Sequence, residues 1–339
     1  MKILLGISGG LDSAYSVRLL LDAGHEVEGA TLVMHEYTEL SAAQAASREL
    51  GIPLHVVDCT ESFECVKENL VSEYTRGRTP NPCVICNSEV KFKYLFKHAM
   101  ENGFDKIATG HYARIGNEED NYAIYMAEDR KKDQSYMLWR LPREIRKALI
   151  LPLGAMRKDE IRQRASEQKI SASDRPESQE ICFLPNESYT DFIEKRCGKA
   201  KSGHFINNEG KILGTHRGII HYTVGQRKGL GIATGKRMFV TKIDPVENTV
   251  TLSELDETRD TLFVSGIVFS SEPEMKTGES REYLVKLRYL QAPVKSTLTY
   301  LGEGRGRVEL SVPQRAVTPG QSAVFYDGET LLGGGVIEG

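Results

Sequence analysis

Residues 2–7, Lys-Ile-Leu-Leu-Gly-Ile, form an apolar run of strand length that stops at Ser8-Gly9-Gly10-Leu11-Asp12-Ser13. A helical pattern follows at once and is closed by Gly24. This order constrains the fold more than any other feature of the chain. A continuous apolar strand is buried on both faces, the signature of a parallel sheet whose helices return the chain to the next strand. The unit then repeats. Residues 26–34 read as a second strand, 41–50 as an alanine-rich helix closed by Gly51, and 55–58 as a third strand. Helical segments at 61–76 and 88–101 precede a strand at 106–110. Alternation of this kind predicts an α/β fold, a doubly wound parallel sheet that takes ligands at the carboxyl ends of its strands.

The pattern changes after about residue 190. Residues 195–255 are rich in glycine, with short apolar pieces such as Met238-Phe239-Val240 and Thr249-Val250-Thr251-Leu252. From about 260 onward only short strands and turns are expected, at 283–290, 294–301, 306–312, 322–326 and 330–337, a pattern that predicts a small C-terminal β-barrel. With 339 residues, two or three domains are expected. The boundaries fall at 1–190, 195–255 and 260–339.

The charge is segregated. Residues 195–237 carry ten Lys or Arg against a single acid, Glu209, while the whole chain has a net charge of −3. A basic segment of this size can neutralise several phosphates, so the central module is expected to contact nucleic acid. No apolar run approaches the ~20 residues that span a bilayer, and Lys2 is followed by a short strand rather than a secretory signal. A cytoplasmic protein with no membrane partner is expected. Six cysteines in such a chain read as thiols, ligands or nucleophiles rather than as a disulfide framework. Cys59 and Cys65 read as small buried hydrophobes.

Two segments carry chemistry. In Ser8-Gly9-Gly10-Leu11-Asp12-Ser13 the glycines let backbone approach phosphates, the helix start offers unpaired N–H groups, and Asp12 is suited to hold Mg²⁺. It is neither a Walker A loop, since no Gly-Lys-Ser/Thr follows, nor a dinucleotide fingerprint. The second segment, Thr79-Pro80-Asn81-Pro82-Cys83-Val84-Ile85-Cys86-Asn87, presents two thiols after a stiff Pro-Asn-Pro elbow. Thiols so placed bind metal, exchange disulfides or hand over sulfur.

Ser-Gly-Gly-Leu-Asp-Ser resembles the PP-loop of the ATP pyrophosphatases, which split ATP into pyrophosphate and an AMP attached to an acceptor oxygen. Further stretches narrow the resemblance: TPNPCVICNSEVKF (79–92), ATGHYARI (108–115), KDQSYMLW (132–139), SQEICF (178–183), YTVGQRKGLGI (222–232) and AVTPGQSAVFYDGE (316–329). In this order and spacing the chain resembles the tRNA-specific 2-thiouridylases over nearly its whole length. The resemblance implies ATP held by Gly6, Ile7, Ser8, Gly9, Gly10, Leu11, Asp12 and Ser13, by Leu32, and by Gly110 beside His111. It implies a target base near Asn81, Pro82 and Cys83, with His111 at the site. Cys86 would be the nucleophilic or resolving cysteine and Cys182 the persulfide carrier. Lys132, Asp133, Gln134, Arg288, Tyr289 and Gln321 would touch tRNA.

The implied reaction makes 2-thiouridine at the wobble position. ATP adenylates the C2 oxygen of uracil, which is otherwise a poor leaving group, and sulfur then attacks C2. A cysteine desulfurase or a persulfide-carrying relay protein would supply the sulfur. The chain departs from the family at Cys83, where aspartate is usual, and the stretch before residue 79 is short. Two metal-bound alternatives stay open: a 4Fe-4S cluster on Cys83, Cys86 and Cys182, or zinc on these three with Cys197. Two other functions also fit parts of the chain. One is a PP-loop enzyme acting on a small molecule, which leaves the cysteines and the basic stretch unexplained. The other is a non-catalytic, metal-holding RNA-binding protein.

Overall fold

The computed structural model describes residues 1–171, 181–232, 235–255 and 257–339. The chain opens with β1 (Lys2–Gly6), α1 (Leu11–Asp22), β2 (Glu26–Val33), α2 (Leu40–Leu50), β3 (Leu54–Asp58) and α3 (Thr60–Thr75). One continuous helix follows, made of α4 (Pro82–Ile85), a π-helical turn (Cys86–Lys91) and α5 (Phe92–Glu101). Next come β4 (Lys106–Thr109), a hairpin of β5 (Ala113–Ile115) and β6 (Ile124–Met126), α6 (Arg143–Ala148), β7 (Leu149–Ile150), α7 (Lys158–Glu167) and α8 (Tyr189–Cys197).

The first sheet has the order β3-β2-β1-β4-β7, parallel throughout. The expected doubly wound sheet is therefore present. Its alternating side chains feed two cores, as a period of two requires. Ile3, Leu5 and Ile7 pack with Val17, Leu20 and Ala43 of α1 and α2, whereas Leu4 packs with Phe63, Phe92 and Leu95 of α3 and α5. The strand order reverses between β1 and β4, the place where such sheets open a ligand crevice.

A four-stranded sheet forms the central module: β8 (Gly203–Ile206), β9 (Ile212–His216), β10 (Phe239–Asp244) and β11 (Thr249–Ser253), in the order β10-β11-β8-β9. The last part is β12 (Thr258–Phe269), β13 (Ser280–Lys286), β14 (Val294–Gly302), β15 (Arg305–Arg315), β16 (Ser322–Asp327) and β17 (Thr330–Ile337). These six strands close into an antiparallel barrel because β12 pairs with both β15 and β17. The expected barrel is present, but two strands are longer than the short ones read from the sequence: β15 has 11 residues and β12 has 12. Its length lets it seal both edges, leaving no open ladder.

The barrel is joined to the α/β sheet through shared structure. The hairpin β5–β6 adds to the barrel at β17, with Thr330 opposite Tyr125 and Leu331 opposite Ile124. Trp139 is completely buried beneath this junction and donates from Nε1 to Ser322 Oγ at 3.0 Å. Among the described residues no helix is long and apolar enough to cross a membrane.

Candidate active site

The phosphate-type loop lies between β1 and α1, at the switch point. Gly9 has φ +79°, and a Cβ there would lie 2.5 Å from the Ala42 backbone, so only glycine fits. Ser13 Oγ donates to the Gly10 carbonyl at 2.9 Å and folds the loop over itself. Gly10, the N-cap of α1, makes no side-chain cap, which leaves first-turn N–H groups for an anion. Gly110 follows β4 and presses against the loop from the neighbouring strand. A Cβ on it would meet the Asp12 backbone at 2.9 Å. Leu32, at the carboxyl end of β2, is buried in the adjoining core.

Asp12 has two partners. Its Oδ1 accepts from Tyr112 Oη at 2.6 Å and from Lys158 Nζ at 2.6 Å. Lys158 is only 7% exposed and opens α7, where a helix dipole disfavours a cation. Sequence reasoning missed both residues. The lysine at a helix start was the available signal, since a cation in that position is stable only beside an anion. Gln134 supports the pair indirectly: its Oε1 accepts from Tyr112 N at 2.9 Å, and its own N–H donates to the Tyr112 carbonyl at 2.7 Å.

The cysteines are on a helix, not on the braced loop that the prolines suggest. Asn81 Oδ1 accepts from Cys83 N at 3.1 Å, and Pro82 occupies the first helical turn, where its missing N–H costs nothing. Cys83 is exposed in that turn. Cys86 begins the π turn, is 7% exposed, and sits 3.8 Å from Met34 Sδ. Burial pushes its thiol up to about 12, against the opposing charge of Lys91. Cys182 is exposed, yet desolvation by its surroundings raises its thiol as well, again with Lys91 opposing. The neighbouring Phe183 anchors this segment among Phe63, Phe192 and His35, with ring centroids 5.4, 5.7 and 6.4 Å away.

Cys83, Cys86 and Cys182 therefore come within electrostatic reach of one another. They are not gathered as a metal site. Among the described residues no group of three or more His, Cys, Asp or Glu is placed to hold a metal ion. Neither the three-cysteine cluster set nor the four-cysteine zinc set is gathered among the described residues. Of SQEICF, residues 178–180 lie outside the described residues.

His111 stands beside Gly110, its Nδ1 2.9 Å from Thr109 Oγ1 and its ring 5.2 Å from that of Phe92. Burial, and secondarily Lys91, hold the imidazole well below its ordinary range, so it is neutral at neutral pH. In the segment expected at tRNA the Asp133 side chain is turned inward. Asp133 is 3% exposed; it accepts from Ala127 N at 3.0 Å, Ser135 N at 3.2 Å and Ser135 Oγ at 3.0 Å, and lies 3.4 Å from Lys286 Nζ. Its carboxylate is committed to this turn. Lys132 is half-buried next to it, its carbonyl 3.5 Å from Tyr289 Oη. Arg288 donates to the carbonyls of Ala316 at 2.9 Å and Val224 at 3.4 Å, tying barrel to central module. Gln321 Nε2 donates to the Thr79 carbonyl at 2.8 Å, so the barrel touches the cysteine segment itself. In the central module, Arg227, Lys236, Arg237, Leu230, Ile232 and Met238 line an open cleft of about 640 Å³.

Three family models match in succession: a "tRNA methyl transferase HUP domain" over residues 1–186, a "tRNA methyl transferase PRC-barrel domain" over 190–254, and an "Aminomethyltransferase beta-barrel domain" over 259–337. The chain is 43% identical to a tRNA-specific 2-thiouridylase of Clostridium acetobutylicum, covering 99% of each. It is 40% identical to the protein of that name from Carboxydothermus hydrogenoformans, over 99% of this chain and 97% of the other. With the one from Acetivibrio thermocellus it shares 41%, over 99% of each.

Proposed function

This chain belongs to the tRNA-specific 2-thiouridylases, ATP-dependent enzymes that thiolate uridine in tRNA, and on that premise we propose how its own residues carry the reaction. ATP lies across the switch point. Its phosphates meet the Ser8-Gly9-Gly10 backbone and the start of α1, and Lys158 supplies positive charge to them. Asp12 Oδ2 is the carboxylate oxygen not used by Tyr112 or Lys158, and with phosphate oxygens it suits Mg²⁺, which keeps most of its waters. Bound there, Mg²⁺ would offset the charge on the departing pyrophosphate. The basic cleft of the central module and the barrel grip the tRNA, so that the wobble uridine enters beside Asn81, Pro82 and Cys83.

The C2 oxygen of that uridine attacks the α-phosphorus of ATP; an O–P bond forms and pyrophosphate leaves. The terminal sulfur of a persulfide on Cys182 then attacks C2. A C–S bond forms, and AMP departs with the electron pair of the C2–O bond. Cys86 next loses its thiol proton to solvent and attacks the Cys182 sulfur. The persulfide S–S bond breaks onto the base sulfur to give the thiocarbonyl, and a Cys86–Cys182 disulfide remains for a cellular dithiol to reduce. The persulfide itself is loaded by a cysteine desulfurase or a relay protein, and we place the enzyme with its tRNA in the cytoplasm.

One observation carries this reading: Cys86 Sγ lies 3.8 Å from Met34 Sδ, just past β2, the neighbour of the strand that bears the phosphate loop, and Phe183, next to Cys182, packs against His35 of the same segment with ring centroids 6.4 Å apart. Incubation with tRNA, Mg-ATP and a persulfide donor is expected to give 2-thiouridine, AMP and pyrophosphate in equal amounts. A folded sample that forms neither thionucleoside nor pyrophosphate would falsify it.

A further inference from the structure

Lys91 is the last residue of the six-residue π turn that Cys86 begins. The placement has a geometric consequence. In an α-helix, residues so spaced lie roughly 140° apart around the axis, on different faces. A π turn closes i→i+5 hydrogen bonds and spends an extra residue on one revolution, which swings Lys91 back toward the face of Cys86. The Phe92 N–H bonds the Asn87 carbonyl in this longer register.

The environment of the ammonium is the second observation. Lys91 is half-buried, and among the described residues its ammonium makes no hydrogen bond or ion pair. Two other cations of this region are committed. Lys67 is bound to Glu64 at 2.7 Å, and Arg196 reaches the same carboxylate at 2.9 Å. The Lys91 charge acts on three groups of the site, Cys86, Cys182 and His111, which come from three different parts of the chain. A partly desolvated ammonium without a counter-ion is costly unless an anion arrives to meet it.

We propose that Lys91 is the anion-holding residue of the sulfur site, balancing the negative charge that sulfur carries at Cys182 and Cys86. The inference rests on the thiolation reading for its purpose but not for its geometry. The two anionic sulfurs of the sequence, the persulfide on Cys182 before it attacks C2 and the Cys86 thiolate before it releases the base, then each form near one fixed cation. A fixed charge of this kind stabilises each anionic stage without reorganising. Lys91→Met removes the charge and keeps most of the apolar stem.

The test compares two alkylating reagents of similar size, anionic iodoacetate and neutral iodoacetamide, on the reduced full-length protein without tRNA or ATP. Peptide mass spectrometry reads the rate at each cysteine. Because both reagents consume thiolate, their rate ratio reports local charge rather than ionisation. At Cys182 the iodoacetate-to-iodoacetamide ratio is expected to fall on the order of threefold to tenfold in Lys91→Met and to return in Lys91→Arg. Cys197, which is exposed and outside the set, is the internal reference. An unchanged Cys182 ratio in Lys91→Met would overturn the proposal. So would an equal loss in Lys91→Arg, which would assign the effect to shape. Thiolation activity plays no part in this readout, so a failure here and a failure of the enzymatic reading are distinguishable.

Discussion

Gln321 on the barrel holds Thr79 at the base of the cysteine segment, its Nε2 2.8 Å from the Thr79 carbonyl oxygen. The grip is double, because the Thr79 N–H donates to Pro319 on the same barrel turn at 2.8 Å. Thr79 Oγ1 also lies 3.2 Å from Thr223 Oγ1 of the central module. All three parts of the chain thus meet at the residue that starts the Pro-Asn-Pro elbow. Gln321→Ala removes one of these bonds, a loss of about 1 kcal/mol in stability. The expected result is a thiolation kcat reduced severalfold while ATP affinity, set at the phosphate loop, is unchanged. Equal damage to both would show that Gln321 serves general stability instead.

The pairing of Lys158 with Asp12 at 2.6 Å places the cation at the phosphate loop. Lys158→Met keeps the length of the side chain and removes its charge. Charge-assisted hydrogen bonds are worth roughly 1.5–3 kcal/mol, so ATP affinity is expected to weaken by about tenfold to a hundredfold. Isothermal titration with a non-hydrolysable ATP analogue measures it. An unchanged dissociation constant would remove Lys158 from the nucleotide site.

Trp139 is the chain's single tryptophan and is wholly buried where the barrel meets the β5–β6 hairpin. Its fluorescence therefore reports this junction alone. Emission is expected to be blue-shifted in the native protein and to move red when the barrel comes away. Trp139→Ala should cost about 3–5 kcal/mol, and Trp139→Phe less, because the ring volume largely remains and the bond to Ser322 is lost. Denaturant titration followed by circular dichroism separates the two.

Burial holds the Cys86 thiol up to about 12, from an ordinary value of 9.0. The folded state thus keeps a proton that the unfolded chain releases. This contribution to stability is complete below about pH 9 and is lost as pH rises through the interval to about 12. Cys86→Ala is expected to flatten the alkaline fall in stability by up to about 1.4 kcal/mol per pH unit. Chemical denaturation at pH 8 and at pH 10 (roughly one unit either side of the free thiol) tests it. Parallel losses in both proteins would mean that the thiol ionises normally in the fold.

The sequence by itself determined the order of strands and helices as far as the strand at 106–110, the glycine loop at the first strand end, and the two cysteines of the Pro-Asn-Pro segment. These are short-range properties. A strand's apolar run, a glycine that must approach a phosphate, and an Asn-Pro helix start are each written within a few neighbouring residues. Even so, the Pro-Asn-Pro elbow does not by itself show that a helix follows, because a capped helix and a braced loop begin with the same residues.

Tertiary structure alone decided the rest. Asp133 is polar and looks available for tRNA, yet the fold spends its carboxylate on Ser135, Ala127 and Lys286. Lys158 lies far from Asp12 in the chain, and no local pattern links them. The long strand β12 seals the barrel only because β15 and β17 present matching edges, and β5–β6 joins the same barrel from another part of the chain. Burial, ion pairing and strand closure depend on which distant surfaces meet. That is fixed by the packing of the whole molecule and is not carried by any one segment.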